Sequence, residues 1–483
     1  VLKIMQKQNI SRRKFMGQAS CGAIGLTSLF STLFNLKTVN AAAAFNSSVG
    51  AKMDDYKAMV CILNSGGMDS FNMLVPRGAS YAEYAASRSN MALSQNELLP
   101  INPLNPDGKT YGLHPNLVHC QQLFESGKMS FVSNVGTLLQ PINKQQFYNG
   151  SIPVPLGLYS HSDQVMQWQT SILDKRSGVG WGGKIADLLT SANENQILSM
   201  NISLAGSNIF QSGNNSVEYS IHHEYGSTGI FAHNNEDWVL YKMKTAAIND
   251  MVNPGYQNVF KNTYRKTIKK GIDGHEMLSP ILQSQINFDL PFSDTDLSKS
   301  FQMIAKTIAG RDTLKMSRQI FFIDFGGWDH HDSLLDMQSD FFTVLDNALN
   351  EFNAAMQQLG VHNKVTTFSL SEFSRTLTSN GNGTDHAWGS NVFVMGGAVQ
   401  GRKILGNYPS LSLTNFNSNP GSDTNPLDVG GGVLIPTTSV EEYFAELALW
   451  YGVPSSELVT LFPNLGYFYD PMSGSNPIGF LNL

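Results

Sequence analysis

Short apolar runs that end in glycine or in polar residues recur along the chain and predict the buried strands of an α/β sheet. The clearest run spans Gln319 to Phe325, and Gly326 and Gly327 end it. Similar runs span Ala58 to Leu63 and Val365 to Leu370. Runs this short, without alternation, are typical of strands that are covered on both faces, and therefore of a mostly parallel sheet.

A longer segment with apolar residues three and four positions apart follows the first of these runs. It extends from Leu334 to Leu359 and predicts one amphipathic helix, ended by Gly360. Strand, helix and strand form a βαβ unit, so the runs that begin at Gln319 and Val365 are predicted to be parallel neighbours. The predicted fold is α/β, a doubly wound, mostly parallel sheet with helices on both faces.

Metal-ligating side chains follow the predicted strand ends. Asp329, His330 and His331 come directly after the glycine pair, and Asp69 follows a second glycine pair in the same Gly-Gly-x-Asp order. A single Asp or His in a loop is most often only solvated. The repetition at two strand ends favours a site, because open α/β sheets bind ligands at the carboxyl ends of their strands.

The third strand end and a glycine-rich loop complete this group of candidate ligands. Glu372 follows the run that ends at Leu370, and the loop carries Asp385 and His386 ahead of another apolar run, Val392 to Met395. Carboxylates and imidazoles are ligands for Zn, Mn, Mg or Ca. We expect the following residues to converge on one or two divalent ions: Asp69, Asp329, His331, Glu372, Asp385 and His386.

The segment Tyr-Ser-His-Ser-Asp-Gln contains the candidate catalytic residues Ser160 and His161. It precedes a helix predicted from Val165 to Ile172, and a helix N-terminus favours an anion such as a phosphate or sulfate group. The alternative is a serine that only caps the helix.

The charge distribution excludes some classes of partner. The chain has 32 Lys and Arg against 38 Asp and Glu, a net charge of −6. The first 44 residues contain six basic and no acidic residues, so the remainder has 26 against 38, a net charge of −12. Such an acidic chain argues against binding of nucleic acid and against docking on anionic lipid.

The N-terminal segment predicts export. Arg12 and Arg13 form a twin-arginine pattern, a mildly apolar stretch follows, and residues 41–44 are small, as at a cleavage site. Residues 1–44 are therefore predicted to be a twin-arginine signal peptide, the translocase to be a transient partner, and the mature domain, residues 45–483, to be periplasmic or otherwise exported. A permanent membrane anchor is the alternative, and no other run predicts a span.

Cys61 and Cys120 are the cysteines beyond the signal peptide. They form no Cys-x-x-Cys, haem or iron–sulfur pattern. A disulfide between them and two buried free thiols remain alternatives.

These motifs resemble a known family. GGMDSFN, YSHSDQ, GWGG, FGGWDHHD, LSEFSRT, NGNGTDHAWGS and PTTSVEEYFAELALWYGV occur in the order found in the bacterial domain-of-unknown-function 1501 family. The resemblance covers essentially the whole mature chain. The family resembles a branch of the alkaline-phosphatase and sulfatase superfamily, whose members hold one or two divalent metals and cleave phosphate or sulfate esters.

The resemblance assigns roles to individual residues. It implies that Asp69 is the metal carboxylate of the first strand and that Asp329 and His331 are an Asp-x-His ligand pair. Glu372 falls in the next ligand loop, and His386, with Asp385 beside it, in the last one. The Cys-x-Pro-x-Arg nucleophile motif of sulfatases is absent.

The resulting expectation is an exported metal-dependent hydrolase that acts on small-molecule or glycan esters of phosphate or sulfate. Attack by water is expected, with a covalent Ser160 as the alternative. Two other classes remain open. One is a non-catalytic exported surface or assembly protein with a structural or vestigial metal site, and the other is a redox enzyme, although the chain has no GxGxxG after a strand.

Overall fold

The computed structural model describes residues 55–231, 233, 237–414 and 425–483. The predicted signal peptide and residues 45–54 of the predicted mature domain lie outside the described residues.

The strands of the described residues are given first, in chain order. They are β1 (Lys57–Leu63), β2 (Leu74–Arg77), β3 (Leu99–Ile101), β4 (Thr110–Leu113), β5 (Met129–Gly136), β6 (Asn201–Ser203), β7 (Tyr219–Ser220), β8 (Arg318–Asp324), β9 (Val365–Leu370), β10 (Arg375–Ser379), β11 (Thr384–His386), β12 (Ser390–Met395), β13 (Ile404–Gly406) and β14 (Thr438–Ser439).

The α-helices of the same residues follow. They are α1 (Tyr81–Arg88), α2 (Val118–Glu125), α3 (Lys144–Asn149), α4 (His161–Thr170), α5 (Trp181–Leu188), α6 (Val239–Val252), α7 (Val259–Gln283), α8 (Asp296–Ala309), α9 (Arg311–Leu314), α10 (Leu334–Gln358), α11 (Val440–Tyr451) and α12 (Leu458–Leu461).

The central sheet is mostly parallel, as predicted. Its strand order is β13-β5-β12-β9-β1-β8-β6-β7, and β14 also pairs with β5. The strands of this sheet run in one direction except β12, which is antiparallel to both β9 and β5. Two smaller sheets, β2-β4-β3 and the hairpin β10-β11, lie outside it.

The prediction that β8 and β9 are neighbours is wrong. Both strands pair in parallel with β1, which lies between them, so that Val60 is opposite Phe321 on one side and Thr367 on the other. The crossover through α10 therefore passes over one strand. Helical periodicity establishes that a crossover exists, but β1 begins at Lys57, 261 residues before the start of β8 at Arg318, and a local pattern cannot reveal its insertion.

Helices cover both faces of the sheet, and alternate residues of β1 show this. Val60 and Ile62 belong to the core cluster that contains residues of α2, α8 and α10. On the other face, Trp181 of α5 stacks on Phe444 of α11 with ring centroids 4.7 Å apart and approaches Phe368 of β9 at 5.9 Å. The predicted doubly wound α/β fold is confirmed.

Two further expectations concern the cysteines and membrane spans. Cys61 in β1 and Cys120 in α2 are both buried free thiols, and burial raises the pKa of each. Among the described residues, no helix combines the length and the apolar character that a membrane span requires.

Candidate functional site

Four loops bring the candidate site together at one edge of the sheet. The segments after β1, β8 and β9 meet there because Leu63, Asp324 and Leu370 end these strands in register. The hairpin β10-β11 follows β9 directly, and its register places Arg375 opposite His386. The N-terminus of α4 supplies His161 from elsewhere in the chain.

The two loops that carry the glycine pairs pack against each other. Gly66 has φ +118°, and a Cβ at this position would lie 2.5 Å from the backbone nitrogen of Asp329. Gly327 has φ +104°, which likewise favours glycine. The repeated Gly-Gly pattern therefore allows the two loops to touch through their backbones.

Asp329 is the centre of the cluster. Its Oδ1 lies 2.7 Å from Arg375 Nη1, 3.1 Å from His331 Nε2 and 3.2 Å from His386 Nε2. Its Oδ2 lies 3.4 Å from His161 Nε2. Partial burial acts to raise the pKa of Asp329, but the hydrogen bond and charge of Arg375 outweigh burial and lower the pKa.

Each of the three histidines uses its Nδ1 away from Asp329. His331 Nδ1 donates to Asp385 Oδ1 at 3.1 Å, and His386 Nδ1 donates to the carbonyl oxygen of Tyr159 at 2.9 Å. Burial is the main cause that lowers the pKa of His386, which favours its neutral ring.

The third histidine is oriented by a buried carboxylate. His161 Nδ1 donates to Glu372 Oε1 at 2.8 Å, and this hydrogen bond is the main cause that raises the pKa of His161. Glu372 Oε1 also accepts the Gly66 N–H at 2.8 Å. Glu372 is 1% exposed, so it acts through His161 and lies behind the open face of the cluster.

The Nε2 atoms of all three histidines face Asp329, and those of His331 and His386 are only 3.0 Å apart. In a neutral imidazole that is protonated at Nδ1, Nε2 carries the lone pair. A cation between these atoms would stabilise the arrangement. Metal-bound histidines commonly donate their other nitrogen to a carboxylate or a carbonyl, as these three do.

The spacing of the donors fits one metal ion. Two ligands of a tetrahedral ion, each at about 2.1 Å, lie about 3.4 Å apart. The measured separations around Asp329 are 3.1, 3.2 and 3.4 Å. The ligand atoms of His161, Asp329 and His386 all lie within 4.8 Å of one another. The residues present therefore fit an ion held by Asp329 and histidine Nε2 atoms.

Asp69 lies outside this cluster. It is 1% exposed and pairs with the buried guanidinium of Arg88, which also donates to the carbonyl oxygen of Thr376 at 2.9 Å. Gln338 donates to the Asp69 carbonyl oxygen at 2.9 Å. Asp69 thus has a fixed counter-charge, although it follows the same Gly-Gly-x pattern as Asp329.

His330, the other histidine of the central motif, points into the core. It is 4% exposed and lies against Trp328 and Phe341. Burial is the main cause that lowers its pKa.

Ser160 lies at the N-cap position of α4. The helix begins at His161 rather than near Val165, so His161 is in its first turn. The Ser160 side chain makes no capping hydrogen bond and lies 3.3 Å from Ser162 Oγ.

Sequence reasoning missed two arginines. Arg375 lies in the LSEFSRT motif and Arg88 at the end of α1, and each neutralises one of the two Gly-Gly-x-Asp carboxylates. For Arg375 a signal existed, since it lies three residues after Glu372. For Arg88 no local signal existed, because it reaches Asp69 from a separate helix.

The fold and the cluster define an α/β protein with a candidate metal centre at the carboxyl edge of its sheet. A family model described as "Protein of unknown function (DUF1501)" matches residues 288–423, in agreement with the resemblance that the sequence motifs indicate. The matched segment includes Asp329, His331 and Glu372 but neither Asp69 nor His161. A comparison with curated proteins found no match.

Several solved structures resemble this chain at low identity. Ps i-CgsB, solved in complex with k-i-k-neocarrahexaose, is 9% identical with a TM-score of 0.32, covering 86% of this chain and 78% of its own. The PsFucS1 sulfatase from Pseudoalteromonas sp. is 12% identical with a TM-score of 0.26, covering 78% and 69%. The TAB5 alkaline phosphatase is 11% identical with a TM-score of 0.24, covering 71% and 92%. At these identities and TM-scores, the solved structures carry no argument about the chemistry of the site.

Proposed function

We propose that this protein is a metal-dependent hydrolase of phosphate or sulfate esters. The observation that carries the proposal is the set of three histidines around Asp329, each oriented by an acceptor at Nδ1. The reaction class is the one that the family resemblance implies.

We infer that one ion, rather than two, binds at the cluster. Asp329, Glu372 and Asp385 carry three negative charges and Arg375 one positive charge, which leaves −2 when the histidines are neutral. One divalent ion neutralises this charge. The carboxylate that would hold a second ion, Asp69, is already paired with Arg88.

The chain's own residues prepare and expose the site. Arg375 is fully buried and fixes Asp329 Oδ1, while Glu372 fixes the ring of His161. The side chains of Asp329 and His331 are 46% and 44% exposed, so a solvent-borne ester can reach them. When bound, a divalent ion supplies a Lewis acid that polarises the oxygens of the ester.

The test combines metal analysis with turnover. Elemental analysis of the natively purified protein should give about one Zn or Mn per chain. Aryl phosphate, phosphodiester and aryl sulfate substrates should show turnover that a chelator removes and the ion restores. A His331→Ala variant should lose both the ion and turnover, whereas His222→Ala, an exposed histidine outside the cluster, should lose neither.

Two results would contradict the proposed function. Bound ion without turnover on any of the three esters would favour the non-catalytic exported protein with a structural or vestigial metal. Absence of bound ion after purification and after incubation with each metal would remove the metal centre itself.

We further propose that the chain is exported by the twin-arginine pathway, on the pattern at Arg12 and Arg13. Replacing both residues by Lys should leave the precursor in the cytoplasm, measured by fractionation. Normal processing of this variant would contradict the proposal.

A further inference from the structure

The helices α6 and α7 expose an apolar surface that is unusual for a water-facing element. Val239, Met243, Ala247 and Met251 recur four positions apart and therefore share one face of α6. All four are exposed, with Val239, Met243 and Met251 at 69%, 65% and 57%. Val252 is the buried residue of this helix.

The neighbouring helix continues this surface with aromatic side chains. Phe260 is 86% exposed and Tyr264, one turn later, is 71% exposed. α6 packs on α7, and α7 packs on α8. Soluble proteins rarely leave such a set of large apolar side chains uncovered unless another surface binds them.

The same two helices carry a net positive charge. Residues 239–283, which span both helices, contain seven Lys or Arg and three acidic residues, a net charge of +4 in a chain whose net charge is −6. Lys261, Lys266 and Lys270 are exposed, and no ion pair holds any of them within the described part of the chain. Lys266 and Lys270 are four positions apart and therefore share a side of α7.

Basic side chains beside exposed apolar ones on amphipathic helices are the pattern of a membrane-surface element. The apolar face enters the boundary between headgroups and acyl chains, and the lysines reach anionic headgroups. We propose that α6 and α7 form a peripheral docking surface for a bilayer that contains anionic phospholipid. The proposal is independent of the metal centre.

The positive charge of this surface favours an anionic bilayer over a second copy of the chain as its partner. Two copies that meet through α6 and α7 would bring +4 against +4, which disfavours the contact. The apolar side chains distinguish the bilayer from a soluble polyanion, because a polyanion would leave Val239 and Met251 exposed to water.

The test measures sedimentation of the purified exported protein with two kinds of vesicle. Vesicles of phosphatidylglycerol and phosphatidylcholine in equal parts should bind the protein, pure phosphatidylcholine vesicles should bind it weakly, and added salt should weaken the binding. A Lys266→Gln/Lys270→Gln variant should bind the anionic vesicles about thirtyfold more weakly, since each basic residue contributes about 1 kcal/mol. The matched control Lys175→Gln/Lys364→Gln, with two exposed lysines elsewhere, should bind as the unmodified protein does.

A separate variant tests how much the apolar side chains contribute to vesicle binding. Phe260→Ser should weaken binding by about tenfold or more, because the ring no longer enters the lipid. Leu104→Ser, which removes an apolar residue that is 64% exposed in a loop, should have no effect. Circular dichroism should show that all four variants remain folded.

Three results would overturn the proposal. Equal binding to both kinds of vesicle, or none to either, would remove anionic lipid as the partner. Binding to heparin or nucleic acid that is unaffected by Phe260→Ser would assign the surface to a soluble polyanion. A dimer in sedimentation velocity that Phe260→Ser converts to monomer would assign it to a second copy.

Discussion

Two loops with the same sequence pattern have opposite environments in this structure. Gly-Gly-x-Asp follows β1 with Asp69 and follows β8 with Asp329, and Gly66 of the first loop lies against the backbone of the second. Asp69 is 1% exposed and paired with Arg88, while the Asp329 side chain is 46% exposed and faces three histidines.

The difference shows what converts a turn motif into a chemical site. Glycines determine how closely the loops approach, and both loops satisfy that requirement. The remaining environment determines whether solvent reaches the carboxylate. The Asp69 carboxylate is buried and pairs with Arg88, whereas the Asp329 carboxylate is half exposed and faces both Arg375 and the histidines.

The first and largest expected effect concerns Asp329. Asp329→Ala should remove the ion and lower turnover by at least about three decades, since a Lewis acid contributes several kcal/mol to the transition state. Turnover on an aryl ester and metal content by elemental analysis would measure this. The control is Asp332→Ala in the same loop, which should retain both, because Asp332 binds Asn382 and not the cluster.

The second expected effect concerns stability rather than chemistry. Asp69→Asn should lower the free energy of unfolding by about 3 kcal/mol, because it leaves the buried Arg88 without its counter-charge. Urea denaturation would measure the loss, and Asp69→Asn/Arg88→Met should recover part of it.

The metal content of the same variant also tests the difference between the Asp69 and Asp329 loops. The folded fraction of Asp69→Asn should retain its ion. A variant that kept its stability but lost its ion would make Asp69 a ligand and would remove the distinction between the two loops.

The third expected effect concerns Glu372, which acts on the ion through His161. Glu372→Gln should weaken binding of the ion by about ten- to hundredfold, the usual effect of removing a carboxylate behind a ligating histidine. Glutamine keeps an acceptor for the His161 N–H but lacks the charge. Competition with a chelator would measure the affinity, and Glu351→Gln, a buried carboxylate on α10 that accepts from Ser293, is the control. An unchanged affinity would mean that His161 is not a ligand.

Sequence patterns predicted the strands at the centre of the sheet and the convergence of most candidate ligands. Val365–Leu370 and the helix from Leu334 were predicted almost to the residue, because a continuous apolar run and a long helical period are strong local signals. The order of strands was not accessible, since β1 pairs with residues 261 positions later in β8 and 307 positions later in β9.

The net charge of the whole chain concealed the basic and apolar surface of α6 and α7. The prediction against lipid docking rested on a net charge of −12 for the mature chain. Residues 239–283, which span α6 and α7, carry +4, and only the structure shows that their lysines and apolar side chains are exposed together. The roles of Arg88 and Arg375 were hidden for a similar reason, because an arginine acquires its partner through folding.

The smallest expected effect concerns Ser160 and separates two routes of catalysis. Ser160 precedes His161 at the N-cap of α4, but its Oγ lies next to Ser162 and makes no capping hydrogen bond. If water attacks the ester, Ser160→Ala should lower turnover by about tenfold or less, the effect of one lost hydrogen bond of about 1 kcal/mol. A covalent serine would instead lose about three to six decades. Steady-state kinetics on aryl phosphate and aryl sulfate distinguish the two, with Ser162→Ala as the matched control. A loss of several decades in Ser160→Ala alone would make Ser160 the nucleophile, with His161 beside it as the residue that positions the ion.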